Sequence, residues 1–284
     1  MGLINYNIEK YTPQQLVIIP LVLLVISLVL VGMNIATTGM PVKPGIDFSG
    51  GTAVTLDTSE TPDQLRATFS GYPLSDISEG VNNGKFLKFG SMDDAQFQSL
   101  TALISQKYPN AKIDQIGESF GKTLQNQAVL ALIFSFIGMA IVIFLSFRTF
   151  VPSAAVVLSA FADMVMTAAA MNIIGIPLTL GTTAALLMLI GYSVDSDILL
   201  TNRVLKRQGK LHDKLKGAFD TGIIMTSTTF AAITAMLIVS WLGSVEILWQ
   251  ISAVLLIGLV FDIMNTWLTN AALLKWYVQK GGGK

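Results

Sequence analysis

The stretch Ile190-Gly-Tyr-Ser-Val-Asp195-Ser-Asp197-Ile-Leu-Leu200 sets two carboxylates inside a run that is otherwise almost wholly apolar. An Asp at the centre of a bilayer helix costs about 2.5–3.5 kcal/mol, so the residues around this pair decide what kind of chain it is. Of the 284 residues, 52% are hydrophobic and only 13% are charged, against roughly 25% charged in a soluble domain. That is the composition of an integral membrane protein. A bilayer crossing takes ~20 mostly apolar residues, and the stretches around 14–33, 127–147, 151–172, 180–202, 222–242 and 247–274 qualify. The first is too long for a signal-peptide core and no A-x-A-like site follows it, so a retained helix is expected.

The same composition excludes several kinds of chemistry. There is no cysteine, hence no disulfide, thiol or Cys-ligated metal. The one histidine, His212, lies in a basic stretch and reads as a solvated loop residue. No nucleophile–base pair or metal cluster stands out, so neither an enzyme nor a cofactor nor a metal site is expected. The formal net charge of zero gives no argument for acidic partners, and no nucleic acid is expected.

Orientation follows from the short loops. Arg203, Lys206, Arg207 and Lys210, with Lys214 and Lys216 beyond, form the densest basic cluster. The tail adds Lys275, Lys280 and Lys284, and Arg148 follows span two, whereas the opposite loops at 172–180 and 241–246 hold no Lys or Arg. The positive-inside rule places both termini in the cytoplasm. The organisation expected is a first helix in 1–33, an external domain in 34–126, and helices two to six in 127–284 with a cytoplasmic basic loop at 203–221. That loop reads first as a topology signal, with anionic membrane lipid or a partner as the other reading.

The insert reads strand 52–58, helix 62–69, strand 74–78, strand 85–89, helix 93–108 and strand 112–119. Thr61-Pro-Asp-Gln64 is a helix start with a capping threonine, an early Pro and Gln three residues on. Ser91 is placed to cap the second helix, Pro109 stops it, and Asn82-Asn83-Gly84 marks a hairpin. The order β-α-β-β-α-β predicts a small ferredoxin-like α+β domain. Leading into it, Gly45-Ile-Asp47-Phe48-Ser-Gly50-Gly51-Thr52 permits positive φ or a close backbone approach between membrane and domain. No Lys-Ser/Thr follows, so it is not a phosphate loop.

Four acids fall within spans: Asp163, Asp195, Asp197 and Asp262. Such residues face a bundle interior and mark ion paths, relays or polar contacts. Asp163 shares a stripe with Ser159 and Thr167, and Asn265, Thr266 and Thr269 continue the polar face of Asp262. Span five offers Thr226-Ser-Thr-Thr229 at a similar depth, so a shared inner polar layer including Thr226, Thr229 and Asn265 is expected. Asp195 and Asp197 lie ~200° apart on a helix and cannot share one task. Gly191 on the face of Asp195, with Tyr192 and Leu199, favours Asp195 as the packed, dry carboxylate. Asp197, with Ser193 and Thr201, is expected to reach a wetter cavity, a partner or the basic region at Arg203. Burial without a cation favours the neutral form, which suits a proton carrier; packing through a neutral Asp is the competing reading.

Three motifs resemble the SecF branch of the SecD/SecF family, within the wider resistance-nodulation-division (RND) superfamily. Gly45 to Thr52 is similar to that family's Gly-Ile-Asp-Phe-x-Gly-Gly motif at the threshold of its external domain. Ile190 to Asp195 is similar to the fourth-helix motif whose acid is tied to proton use, and Thr226 to Thr229 resembles the fifth-helix Thr-Ser-x-Thr-Thr. The topology matches over the whole chain. Asp195-Ser-Asp197 replaces the usual bacterial Asn-Asp-Thr, which makes Asp197 an added acid. Asp220-Thr221 stands where bacterial members carry an arginine, and Asp262 to Leu268 looks archaeal. The resemblance implies a heteromeric complex with a SecD-like subunit in the cell membrane. It further implies contact with a protein-conducting channel and exported polypeptide, driven by the proton gradient with Asp195 leading. A small-molecule RND exporter is the alternative, disfavoured by an insert of only ~90 residues; a third reading is a structural brace for SecD.

Overall fold

The computed structural model describes residues 10–80 and 83–281. Thr12 and Gln15 close a capping box, with Pro13 in the first turn, and so start α1 (Pro13–Thr38). The chain continues through the one-turn α2 (Ile46–Ser49), β1 (Gly51–Asp57), α3 (Pro62–Thr68), β2 (Leu74–Glu79), β3 (Gly84–Phe89), α4 (Asp94–Lys107) and β4 (Lys112–Ile116). Four long helices follow: α5 (Glu118–Phe147), α6 (Phe150–Ile174), α7 (Leu180–Lys206) and α8 (Leu211–Leu242). The last span joins α9 (Glu246–Met264), a π-helical turn (Asn265–Asn270) and α10 (Ala271–Gln279). Among the described residues six segments are thus long and apolar enough to cross a membrane.

Burial orders the bundle. Of the apolar stretch of each helix, 61% is buried in α6 and 50% in α7, against 6% in α5. The first two therefore make the centre, while α1 and α5 turn Ile18, Val29, Phe134 and Leu145 outward, as a lipid-facing surface requires. Gly258 of α9 lets α7 come close: a Cβ there would sit 2.5 Å from Leu189.

The insert has the predicted element order. Its four strands lie in the order β2-β3-β1-β4, every neighbouring pair antiparallel, which is the split β-α-β arrangement. Alternation along β1 sends Thr52, Val54 and Leu56 inward against Leu87 and Phe89. Leu65 and Phe69 from α3, and Leu100 and Ile104 from α4, close that core. Each such side chain contributes about 1.5–3 kcal/mol by leaving water. The Thr61–Gln64 capping box is present. The second insert helix is capped by Asp93, which accepts from Gln96 N at 2.7 Å, and not by Ser91: the helix starts two residues beyond that serine's reach. Asn82 of the hairpin signal and residues 282–284 of the tail lie outside the described residues.

Two helix starts differ from the hydropathy pattern. α5 begins at Glu118 and not near 127, because helix continues beyond the apolar run; Gly121 there packs so tightly that a Cβ would meet the Phe48 carbonyl at 2.8 Å. α8 begins at Leu211, so only 207–210 of the expected basic loop connect the two helices. Its first turns bury Leu215, Ala218 and Phe219 against Leu200, Val204 and Trp267. Arg203 Nη2 also donates to Thr221 Oγ1 at 2.8 Å. His212, expected in a loop, is in the first turn of α8 and half-buried.

Candidate functional site: a buried carboxylate layer

The centre of the bundle holds a polar layer at full burial. Asp163 of α6 and Asp197 of α7 are 0% exposed and Asp262 of α9 is 2% exposed. Around Asp163, Asn265 Nδ2 donates to Oδ1 at 2.6 Å and Ser193 Oγ donates to Oδ2 at 2.6 Å. Asp197 Oδ1 accepts from Thr266 Oγ1 at 2.9 Å and from Asn270 Nδ2 at 2.7 Å. Its Oδ2 is buried and makes no hydrogen bond of normal geometry among the described residues; Ser159 of α6 is the hydroxyl that approaches Asp197. Asp262 lies 3.2 Å from Thr266 Oγ1 and within 3.2–3.3 Å of Ser196 Oγ. Ser196 Oγ also reaches the Ser193 carbonyl at 2.9 Å, and Thr269 Oγ1 donates to Asn265 Oδ1 at 3.4 Å.

Among the described residues no cation enters this layer. The sequence carries no Lys, Arg or His from 149 to 202 or from 217 to 274. Among the described residues no group of acids and histidines is arranged to hold a metal.

The expected assignment of the α7 pair is reversed in burial. Asp195 is exposed on the outer side with Tyr192, and nothing lies within 4 Å of where a Gly191 side chain would start. The buried stripe of α7 runs through Leu186, Leu189, Ile190, Ser193, Ser196, Asp197, Leu200, Thr201 and Val204. The physical reason is the helical period: apolar residues three to four apart place the core face on the side of Asp197, and a lone glycine does not outweigh that stripe. Asp197, expected at a wetter cavity, a partner or the Arg203 region, is therefore the dry one, bonded to Thr266 and Asn270.

α8 contributes less than expected. Thr226 is buried, yet neither it nor Thr229 hydrogen-bonds a carboxylate among the described residues; Thr229 Oγ1 donates to Met225 O of its own helix at 3.2 Å. Hydroxyls in helices commonly turn back on the preceding turn in this way. Asn265 does join the layer. Ser196 and Asn270 were not singled out by sequence. Ser196 was legible as a small polar residue on the stripe of Ser193, while Asn270 was hidden by the π turn.

The Gly45–Thr52 motif joins the insert to the same helices. Asp47 Oδ2 accepts from Leu180 N at 2.7 Å, at the first turn of α7. Gly45 N donates to Leu178 O at 2.7 Å, and Phe48 is buried in the bundle core at 2% exposure. Gly50 and Gly51 have φ of 75° and 131°, and a Cβ on Gly51 would lie 2.4 Å from Phe89 O, so both the positive φ and the close approach are realised. On the far side of the sheet Lys88 pairs with Glu246 of α9 at 3.2 Å.

A six-span membrane protein with a split β-α-β insert after its first helix and a cation-free carboxyl layer is a defined class. The family model "Protein export membrane protein SecD/SecF, C-terminal" matches residues 96–280. The protein-export membrane protein SecF of Methanolacinia petrolearia is 57% identical over 282 residues, 99% of this chain and 100% of that protein. SecF of Haloferax volcanii is 42% identical over 272 residues, 96% of this chain and 95% of that protein. The chain belongs to the SecF family of protein-export membrane proteins. The fold is shared with the crystal structure of SecDF, a translocon-associated membrane protein from Thermus thermophilus, with a TM-score of 0.73 at 20% identity. That match covers 94% of this chain and 38% of the SecDF chain, so this chain spans about two-fifths of its length.

Proposed function

We propose that this chain works beside a SecD-like subunit in the cell membrane and uses the proton gradient to help exported polypeptides leave a protein-conducting channel. It acts without enzymatic chemistry of its own. The basic residues at Arg148, Arg203 to Lys216 and Lys275 to Lys280 lie at one end of the spans, and support cytoplasmic termini with the insert outside. The family membership and the SecDF likeness support the partner.

The observation that carries the proton-linked reading is the closed layer of Asp163, Asp197 and Asp262 without a cation. Burying an unpaired charge costs several kcal/mol per ion, so three bare carboxylates are not sustainable there. The hydrogen count agrees. Thr266 and Ser196 have one hydroxyl hydrogen each, and their shortest contacts are to Asp197 and to the Ser193 carbonyl. The oxygens of Asp262 at 3.2–3.3 Å are then placed to share a proton of their own with these hydroxyls. Asp197 Oδ2, which makes no hydrogen bond of normal geometry among the described residues, is a second place for one. Asp195 stands outside this layer and leaves the relay to the other three.

The test is export by the reconstituted complex with and without an imposed proton gradient. Asp197→Asn keeps shape and removes titration, and is expected to abolish the gradient-dependent part; Asp195→Asn is expected to leave it intact. Retention of full gradient dependence in Asp197→Asn would defeat the reading and leave a structural brace for SecD.

A further inference from the structure

Asn265 and Asn270 each donate an amide hydrogen to a different buried carboxylate, Asp163 and Asp197. They are five residues apart. At 3.6 residues per turn, positions i and i+5 are ~140° apart and point to different sides of a helix. Here both are buried, at 1% and 0% exposure, because the intervening residues form a π turn. Its i→i+5 hydrogen bonding widens the helix and brings residue i+5 back over residue i. π turns are rare and need compensating contacts. Trp267, inside the turn, fills a slot where a Cβ on Gly222 would come within 2.3 Å of its ring, and stacks edge-on against Phe219 with centroids 5.1 Å apart. On the layer side, the contacts are the two amide–carboxylate bonds and those of Thr266.

We propose that Asn270 is a positioning residue for Asp197, delivered by the π turn, and that release of this bond lets 265–270 relax to α-helix and turns α10 about its axis. This inference rests on the proton-linked reading of the same layer. A hydrogen bond to an ionised acceptor is roughly twice as strong as one to a neutral acceptor. A proton arriving on Asp197 therefore loosens the tie that keeps the extra residue in the π turn. The ionisable groups facing Asp197 are Asp262 from α9 and Asp163 from α6. Arg203, further along α7, is engaged by Gly217 and Thr221 of α8. Absorbing one residue of register turns everything beyond the π turn by ~100° and shifts it by ~1.5 Å. That motion reaches α10, where Lys275 Nζ holds the Tyr11 carbonyl in front of α1 at 3.0 Å.

The experiment uses the whole complex in lipid with spin labels on single cysteines, which the cysteine-free chain permits. Trp276→Cys on α10 and Phe150→Cys at the start of α6 are exposed positions, at 42% and 77%. A 100° turn moves a label on a helix of 10–12 Å diameter by about 8 Å. The distance distribution is expected to gain a population displaced by about that amount in Asn270→Ala and in the similarly sized Asn270→Leu. Deletion of Leu268, which removes the extra residue outright, lets the segment be α-helical with α10 left in its place, and is expected to show only the undisplaced population. A role in packing alone would lower stability without turning α10. An unchanged distance in both Asn270 variants, with the complex intact, overturns the proposal. Export is not read here, so the two ideas separate: if Asp197→Asn keeps gradient-dependent export while the label moves in Asn270→Ala, proton coupling falls and the register shift stands.

Discussion

Asp163→Ala is the sharpest test of whether the interior layer is held by its carboxyls. Asp163 is fully buried and accepts two bonds of 2.6 Å, from Asn265 Nδ2 and Ser193 Oγ. Truncation leaves both donors facing a void. Each orphaned buried donor costs about 1–3 kcal/mol, softened at Asn265 by a long contact of its amide to Met166 Sδ at 3.8 Å. Adding a small cavity, the expected loss is about 4 kcal/mol, at the upper end of single-residue effects. Asp163→Asn should cost under about 1.5 kcal/mol, because its carbonyl still accepts from Asn265 and its amide can donate to the Ser193 hydroxyl. Removing the donors as well, in Asp163→Ala with Ser193→Ala and Asn265→Ala, should cost clearly less than the sum of the single changes. Reversible denaturant unfolding of the purified protein in bicelles measures all of these. A loss within about 1 kcal/mol for Asp163→Ala, or strict additivity of the three changes, would refute the reasoning.

Asp47→Ala removes the side-chain acceptor of Leu180 N at the start of α7, an effect of about 0.5–2 kcal/mol by analogy with helix caps. Amide exchange in the first turn of α7 should quicken, and Asp47→Asn should largely preserve protection; equal exchange in the wild type and Asp47→Ala would count against the joint. In the insert, hydrogen bonding from Lys107 holds the Glu60 carboxyl below its usual range, with Tyr108 adding to it and partial burial opposing. The Glu60 hydrogen bond raises Lys107 in turn, against the effect of its partial burial. A depressed acid stabilises above its unfolded pKa and loses that contribution as pH falls through the folded value; a raised lysine contributes below its unfolded pKa and loses it as pH rises. The tie is therefore whole near neutrality and fails first on the acid side, below the ordinary glutamate range. Because the pair is partly exposed, it is worth at most about 1 kcal/mol. Protection of the amides at the end of α4, corrected for the intrinsic pH dependence of exchange, should fall in the wild type as pH drops below 4.5, and Glu60→Gln should flatten that fall.

Much of this protein was legible in its amino-acid order. Hydropathy alone located the membrane segments, because a span must be apolar over a bilayer's thickness whatever it packs against. The insert's element order was equally local: Thr61 and Gln64 cap, Pro109 stops, and alternating residues in β1 mark one buried face. Even the membership of Asp163, Asp262 and Asn265 in one layer followed from their depth. What tertiary structure decided was direction. Whether Asp195 or Asp197 faces inward depends on which side of α7 meets α6 and α9, and the glycine at 191 pointed the wrong way because no neighbour comes close to it. Whether hydroxyls of α8 reach the layer depends on their competition with the helix's own carbonyls. The role of Asn270 could not be seen at all, since it needs a π turn that breaks the period on which sequence reading relies. Depth in the membrane is written in composition; facing is set by neighbours that lie far along the chain.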